Sequence, residues 1–209
     1  MSDAVLDVQN IGISFGGLKA VQNFTLRVPR GGLYGLIGPN GAGKTTVFNL
    51  LTGVYVPQTG SIHLDGVSLI GKKPYQIAAA GLSRTFQNIR LFPDLTVLDN
   101  VRIACHLRGR HSLTTTLLRT AGYRRQEAAI LDRARSLLLL FNLDGLCDEQ
   151  ARNLSYGDQR RLEIARAMAT DPKLILLDEP AAGMNPAEKI GLAQMIERIR
   201  REFALTVLL

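Results

Sequence analysis

The run Gly38-Pro39-Asn40-Gly41-Ala42-Gly43-Lys44-Thr45 brings together glycines, a lysine and a hydroxyl in the order a polyphosphate needs. Glycines let the main chain curl so that its N–H groups meet phosphate oxygens with no Cβ in the way. Lys44 can reach the β and γ phosphates of a nucleotide, the Thr45 hydroxyl can ligate Mg²⁺, and Thr46 offers one more donor. Further on, Leu174-Ile175-Leu176-Leu177 ends in Asp178-Glu179 with Pro180 next. Asp178 suits an Mg²⁺ held directly or through water. Glu179, on the opposite side of the strand trace, suits a general base that polarises an attacking water. A third stretch, Leu154-Ser155-Tyr156-Gly157-Asp158-Gln159, opens a helix, with Ser155 and Asp158 at capping-box spacing and Asp in place of the usual Glu or Gln. The same capped end exposes backbone N–H groups to an anion. One nucleotide needs only one such loop, so the third stretch makes sense as part of a site on another subunit.

These groups must be held by elements the sequence also announces. The first 65 residues alternate short β-like runs with turns: Val5–Val8, Gly12–Phe15, Phe24–Val28, Leu33–Ile37 and Ser61–Leu64, broken at Gly16-Gly17, Pro29-Arg30-Gly31-Gly32 and Gly60. Val47, Leu50 and Leu51 fit the helix that follows a phosphate loop. From about residue 95 to 165 the pattern is helical. Thr96 and Asp99 stand at capping-box spacing, and Gln126–Phe141 carries Leu131, Ala134, Leu138 and Phe141 on one side. Leu174–Asp178 reads as a buried strand, Pro186 to Phe203 as a helix with Leu192, Met195, Ile196, Ile199 and Phe203 inward, and Leu205–Leu209 as a further buried strand. The expectation is an α/β fold: a P-loop NTPase core with an antiparallel β subdomain and an inserted α-helical subdomain. The core would comprise residues 1–94 and 166–209, and the insert residues 95–165.

Composition sets outer limits. A chain of 209 residues, 46% apolar, can bury one sizeable core and is not a disordered tail. Cys105 and Cys147 lie far apart without metal-ligand spacing and read as reduced thiols of a cytosolic protein. No export signal opens the chain, and no apolar run approaches the ~20 residues needed to cross a bilayer, so any membrane attachment is expected to come through a partner. The net charge of +7 is local in origin: residues 102–135 hold eight arginines against Glu127 and Asp132. Such a stretch can meet nucleic acid, anionic headgroups or an acidic protein, or can simply be a solvated helix face. Only Tyr123 is available for base stacking, which weakens the first of these.

Gly38–Thr45, a glutamine after Arg84-Thr85-Phe86, Leu154–Gln159 and Leu174–Glu179 stand in the order of the ATP-binding cassette family, and the chain resembles that family over nearly its whole length. In that family ATP lies between two subunits facing head to tail, so the resemblance implies ATP and Mg²⁺ as ligands and a second cassette as partner. It implies that Phe15 stacks on adenine, though a plain core Phe is the competing reading. It also implies that Gln87 senses Mg²⁺ or the attacking water, and that Ser155, Gly157 and Gln159 contact the partner's γ-phosphate. Asn185 stands where many relatives have Asp at the interface, and equally fits an N-cap with Pro186 at N1 and Glu188 at N3. The family's switch histidine has no counterpart among His63, His106 and His111, so the chain looks like a C-terminally shortened subunit, expected to bind ATP and hydrolyse it poorly.

Three strings narrow the resemblance: Ser14–Val21, Arg84–Phe92, and Leu154–Gly157 with Glu179–Pro186. Together they are similar to ATP-binding subunits of branched-chain amino acid importers, with Tyr156 in place of the more common Gly. That group sits on the cytoplasmic face of separate permease subunits and is served indirectly by a substrate-binding protein. Lipopolysaccharide-export and urea-type transporter ATPases are the near alternatives. A non-transport cassette acting on nucleic acid or ribosomes is the distant one. No nucleic acid is expected as a partner, since the chain has a single cassette and no coiled-coil insert.

Overall fold

The computed structural model describes residues 4–39, 41–108 and 121–209. Strand β1 (Ala4–Phe15) and strand β2 (Leu18–Pro29) form a hairpin turning at Gly16 and Gly17, whose φ angles are 50° and 88°. Two successive left-handed residues match the twist of the strands they join, and glycine adopts both without strain. The expected runs Val5–Val8 and Gly12–Phe15 are one strand. Between them lies a bulge at Asn10 (φ 50°), whose N–H donates to Thr25 Oγ1 at 3.0 Å. Gly60, expected as a break, is inside β4 (Thr59–Leu64), where a Cβ would lie 2.2 Å from the Gln9 carbonyl oxygen. With β5 (Val67–Ser68) these strands make an antiparallel sheet in the order β2-β1-β4-β5.

A second, parallel sheet contains β3 (Leu33–Tyr34), β6 (Leu82–Thr85), β7 (Leu174–Leu177) and β8 (Thr206–Leu208), in the order β3-β8-β7-β6. β3 is shorter than the expected Leu33–Ile37 because it is an edge strand paired only with β8; one further bond, Leu36 N–H to the Leu209 carbonyl at 2.7 Å, extends it. β7 is central and fully buried. Ile175 and Leu177 enter one hydrophobic cluster while Leu174 and Leu176 enter the other, so the two cores meet on opposite faces of this strand.

One core is filled by β1, β4 and helix α1 (Lys44–Leu51), with Ile77 of α2 (Pro74–Ala80) at its edge. The other is filled by α3 (Val97–Cys105), α4 (Ala121–Leu140), α5 (Tyr156–Met168) and α6 (Pro186–Glu202). Thr96 caps α3, its Oγ1 accepting the Asp99 N–H at 3.0 Å. The inner face of α4 is Ile130, Ala134, Leu137 and Leu138, continued by Phe141, while Leu131 stays at the rim. On α6, Leu192, Ile196 and Ile199 are buried but Phe203 is 42% exposed, because the helix ends before it and its backbone (φ −106°, ψ 7°) has left the helical phase. Both cysteines are free, Cys105 buried and Cys147 half-buried. Among the described residues no helix is long and apolar enough to cross a membrane. Part of the basic stretch is internally paired: Arg102 with Asp99 and Glu127, and Arg133 with Asp171. Arg110, Arg119 and His111 lie outside the described residues.

Candidate functional site

Four segments distant in sequence open onto one cavity of about 580 Å³: the tip of β1 with Phe15, the loop into α1 with Gly41, Gly43, Lys44, Thr45 and Thr46, the segment after β6 with Gln87, and the end of β7 with Glu179. Gly43 is the residue before α1 and is left-handed (φ 85°), and no side chain caps that helix. Its first-turn N–H groups therefore need another acceptor, and the positive end of the helix dipole points the same way. Gly43 cannot be replaced cheaply, since a Cβ would stand 2.7 Å from the Ala20 carbonyl oxygen. Lys44 Nζ donates to the carbonyls of Gly38 at 2.6 Å and Pro39 at 3.0 Å, which closes the loop on itself. Ala42 follows in the same turn, its N–H donating to the Pro39 carbonyl at 3.2 Å, and Asn40 lies outside the described residues.

Phe15 is not a core residue: it is 43% exposed, and its ring meets Tyr55 edge to face at 5.2 Å, leaving a ring surface for a flat ligand. At the other end of the cavity, Glu179 is exposed with φ 46°, a left-handed conformation unusual for glutamate. Gln87 Nε2 donates to Glu179 Oε2 at 3.2 Å. Asp178 is turned away. Its Oδ2 accepts from Arg84 Nη2 at 2.8 Å in a nearly buried pair, and it does not line the cavity. Among the described residues no three His, Cys, Asp or Glu side chains cluster as a metal cage. The Thr45 hydroxyl and the Gln87 amide oxygen line the cavity and suit a hard cation such as Mg²⁺, whereas the Asp178 carboxylate, held by Arg84, can serve such an ion only through water. Mg²⁺ takes few protein ligands and is carried largely by substrate phosphate and water.

The third stretch is elsewhere. Ser155 caps α5, its Oγ accepting the Asp158 N–H at 3.2 Å and donating to Asp158 Oδ2 at 2.6 Å. Ser155 and Gly157 line a separate cavity of about 250 Å³ together with Glu188. Ser155 and Tyr156 face outward, Gly157 is buried against Glu188, and Gln159 Nε2 is folded onto the Leu154 carbonyl at 3.0 Å. The Tyr156 hydroxyl donates to the Ala182 carbonyl at 3.1 Å, tying this stretch to the segment after Glu179. Asn185 is an N-cap in a full capping box: its side chain accepts the Glu188 N–H, and Glu188 accepts the Asn185 N–H, both at 2.9 Å.

A sequence model of the family described as ABC transporter matches residues 21–182. The chain belongs to the ABC transporter family. Over all 209 residues it is 47% identical to the high-affinity branched-chain amino acid transport ATP-binding protein LivG of Escherichia coli strain K12, spanning 82% of that protein. It is 34% identical over 197 residues to the lipopolysaccharide export system ATP-binding protein LptB of the same strain, covering 94% of this chain and 76% of LptB. The ADP conformation of MJ1267, an ATP-binding cassette of an ABC transporter, superposes with a TM-score of 0.84 at 30% identity, covering 99% of this chain and 80% of that one.

Three residues escaped the sequence reading: Arg84, which holds Asp178, and the pair Arg160–Glu163, which is buried on α5. Opposite charges three residues apart, with Glu163 set between the apolar residues Leu162, Ile164 and Ala165, were the available signal for the pair.

Proposed function

We propose that the chain is the ATP-hydrolysing subunit that powers import of branched-chain or other hydrophobic amino acids. The observation that carries this is the convergence of Phe15, Lys44, Thr45, Gln87 and Glu179 on one cavity. The greater identity to LivG than to LptB supports amino acids over lipopolysaccharide as cargo.

ATP stacks its adenine on Phe15 and lays its phosphates along Gly38, Asn40, Gly41, Ala42 and Gly43. Lys44 exchanges two loop carbonyls for the β and γ phosphates, an exchange of neutral for charged acceptors that strengthens its hydrogen bonds. Thr46 adds a donor. Thr45, with Gln87 alongside and Asp178 acting through water, would hold Mg²⁺, which supplies positive charge to the β and γ phosphates when bound. Glu179 takes a proton from water as the water oxygen bonds to the γ-phosphorus and the bond to the ADP oxygen breaks. The Gln87 amide keeps the Glu179 carboxylate oriented. Ser155, Gly157 and Gln159 serve the γ-phosphate of a second cassette facing head to tail.

An apolar cavity of about 360 Å³, bordered by Val54, Ile77, Phe92 and Ile103, supplies a seat for a permease segment. That permease holds the chain at the cytoplasmic membrane face and links it to a substrate-binding protein. Glu179→Gln is expected to lower kcat by about 10²–10⁴-fold and to trap an ATP-bound dimer, read by light scattering after size exclusion. A variant that stays monomeric at saturating Mg-ATP would sink the head-to-tail reading. A purified transporter whose ATPase responds to a lipid-linked saccharide and not to leucine with its binding protein would sink the cargo assignment.

A further inference from the structure

We infer that Arg160 and Glu163 are positioning residues for Gln87, acting through the main chain of the segment that carries it. This rests on Gln87 and Glu179 acting in ATP hydrolysis. Arg160 is fully buried and Glu163 nearly so, in a helix whose other inward residues are apolar. Arg160 Nη1 donates to the Phe86 carbonyl at 2.7 Å and to Glu163 Oε2 at 2.8 Å, and Nη2 donates to the Gln87 carbonyl at 2.9 Å. Glu163 Oε1 accepts the N–H groups of Phe86 at 3.2 Å and Arg90 at 3.4 Å. The pair thus grips both main-chain polar groups of Phe86, the carbonyl of Gln87 and the amide of Arg90. It fixes the path of this segment whatever its side chains are.

Stability alone gives a weak reason for such a device. A buried ion pair forfeits the hydration of both ions, and well-packed apolar residues often serve as well. The segment it holds is itself largely solvent-facing: Gln87, Asn88 and Arg90 are exposed, so water would satisfy their main-chain groups if the grip were released. What the grip adds is direction. With the Gln87 main chain fixed, its side chain reaches Glu179 Oε2 at 3.2 Å. Phe86 is clamped as well, its ring lying under the guanidinium groups of Arg90 at 4.1 Å and Arg84 at 4.9 Å. Arg84 in turn holds Asp178. The helix bearing the pair begins at Ser155, so the stretch assigned to a partner's nucleotide and the glutamine assigned to this chain's own are joined by one buried guanidinium.

The test is a kinetic cycle in the full chain with its transporter partners. Arg160→Met with Glu163→Leu removes both charges together and should stay folded. Its kcat should fall about tenfold or more, since a misplacement near 1 Å can reduce rate on the order of 10²-fold. KM for ATP should move less than about threefold, because Lys44 and Phe15 are untouched. Arg160→Lys keeps the charge against Glu163 but cannot hold two carbonyls in a fork, and should fall between the two. In a Gln87→Ala background the same changes should alter kcat less than about twofold. Amide exchange at Phe86 and Arg90 should quicken in every Glu163 variant whose circular dichroism is unchanged. An undiminished tenfold loss in the Gln87→Ala background, or normal kcat in the folded double variant, overturns the inference while leaving the reading of the site intact. Normal kcat in Gln87→Ala itself overturns both.

Discussion

Replacing Arg84 by methionine removes the charge that holds Asp178 and should be among the most damaging single changes outside the apolar cores. The Arg84 side chain is 4% exposed and that of Asp178 11%. Its guanidinium donates to Asn49 Oδ1 at 2.7 Å, Asp178 Oδ2 at 2.8 Å and, more weakly, Thr52 Oγ1 at 3.4 Å. It also lies over the rings of Phe48 at 5.5 Å and Phe86 at 4.9 Å. Methionine replaces much of the stem, so packing changes little. The penalty comes from stranding the Asp178 carboxylate at the end of a buried strand and the Asn49 amide oxygen on α1. Removing one partner of a buried pair costs about 3–5 kcal/mol. Asp178 retains some access to water, which argues for the lower end, about 3 kcal/mol. For a chain of this size that corresponds to a fall of roughly 6–12 °C in Tm. Urea unfolding monitored by circular dichroism, in a cycle with Asp178→Asn, measures the term directly. Arg84→Met should cost at least about 2 kcal/mol less in the Asp178→Asn background than in the parent. A cost below about 1 kcal/mol in the parent, or strict additivity in the cycle, would refute the claim that this pair is desolvated and structural.

Other expectations follow from single positions. Gly41→Ala meets no atom within 4 Å and pays only for its left-handed backbone, about 1–2 kcal/mol, whereas Gly43→Ala adds a clash at 2.7 Å with the Ala20 carbonyl; Tm should separate the two, Gly43→Ala being the lower. Glu197 is held down to about 2 by hydrogen bonds from Arg200 and then Arg201. A lowered carboxyl stabilises the fold above its unfolded value of about 4.3 and loses that contribution as pH falls through the window toward 2, so Glu197→Gln should flatten Tm against pH there. The ion pairs lie at the surface, half-buried at Arg200 and exposed at Arg201, so added salt should shrink the difference; an effect confined to neutral pH would be inconsistent with the assignment. Burial pushes both thiols up, that of Cys105 against the opposing pull of Arg133, but Cys147 is only half-buried, so a disulfide reagent at pH 8 should label Cys147 first and Cys105 only on unfolding.

What could be read from the chain, and what could not, divides by how local the physics is. The caps at Thr96, Ser155 and Asn185 each close within three residues, so side-chain type and spacing sufficed. Leu174–Leu177 was legible because four aliphatic residues in a row leave no polar face, and the strand does serve two cores. The bulge at Asn10 and the strand position of Gly60 depend on each other across the sheet, and neither residue alone distinguishes a bulge from a turn. Arg84 and Asp178 are 94 residues apart, and nothing near either one announces the other. The pair Arg160–Glu163 is a different case, because its signal was present. Leu162, Glu163, Ile164 and Ala165 are consecutive buried positions of one helix, and four consecutive residues sweep the whole circumference of an α-helix. Asp158, Gln159, Arg161 and Arg166 mark the partly exposed side of this helix, and Glu163 falls between apolar neighbours away from it. A buried carboxylate must be paired, and of the two arginines three residues from Glu163 on the same helix, Arg160 is the buried one that bonds it at 2.8 Å. What that reasoning could not supply is the third party, the main chain of residues 86–90, which turns a satisfied ion pair into a hold on Gln87.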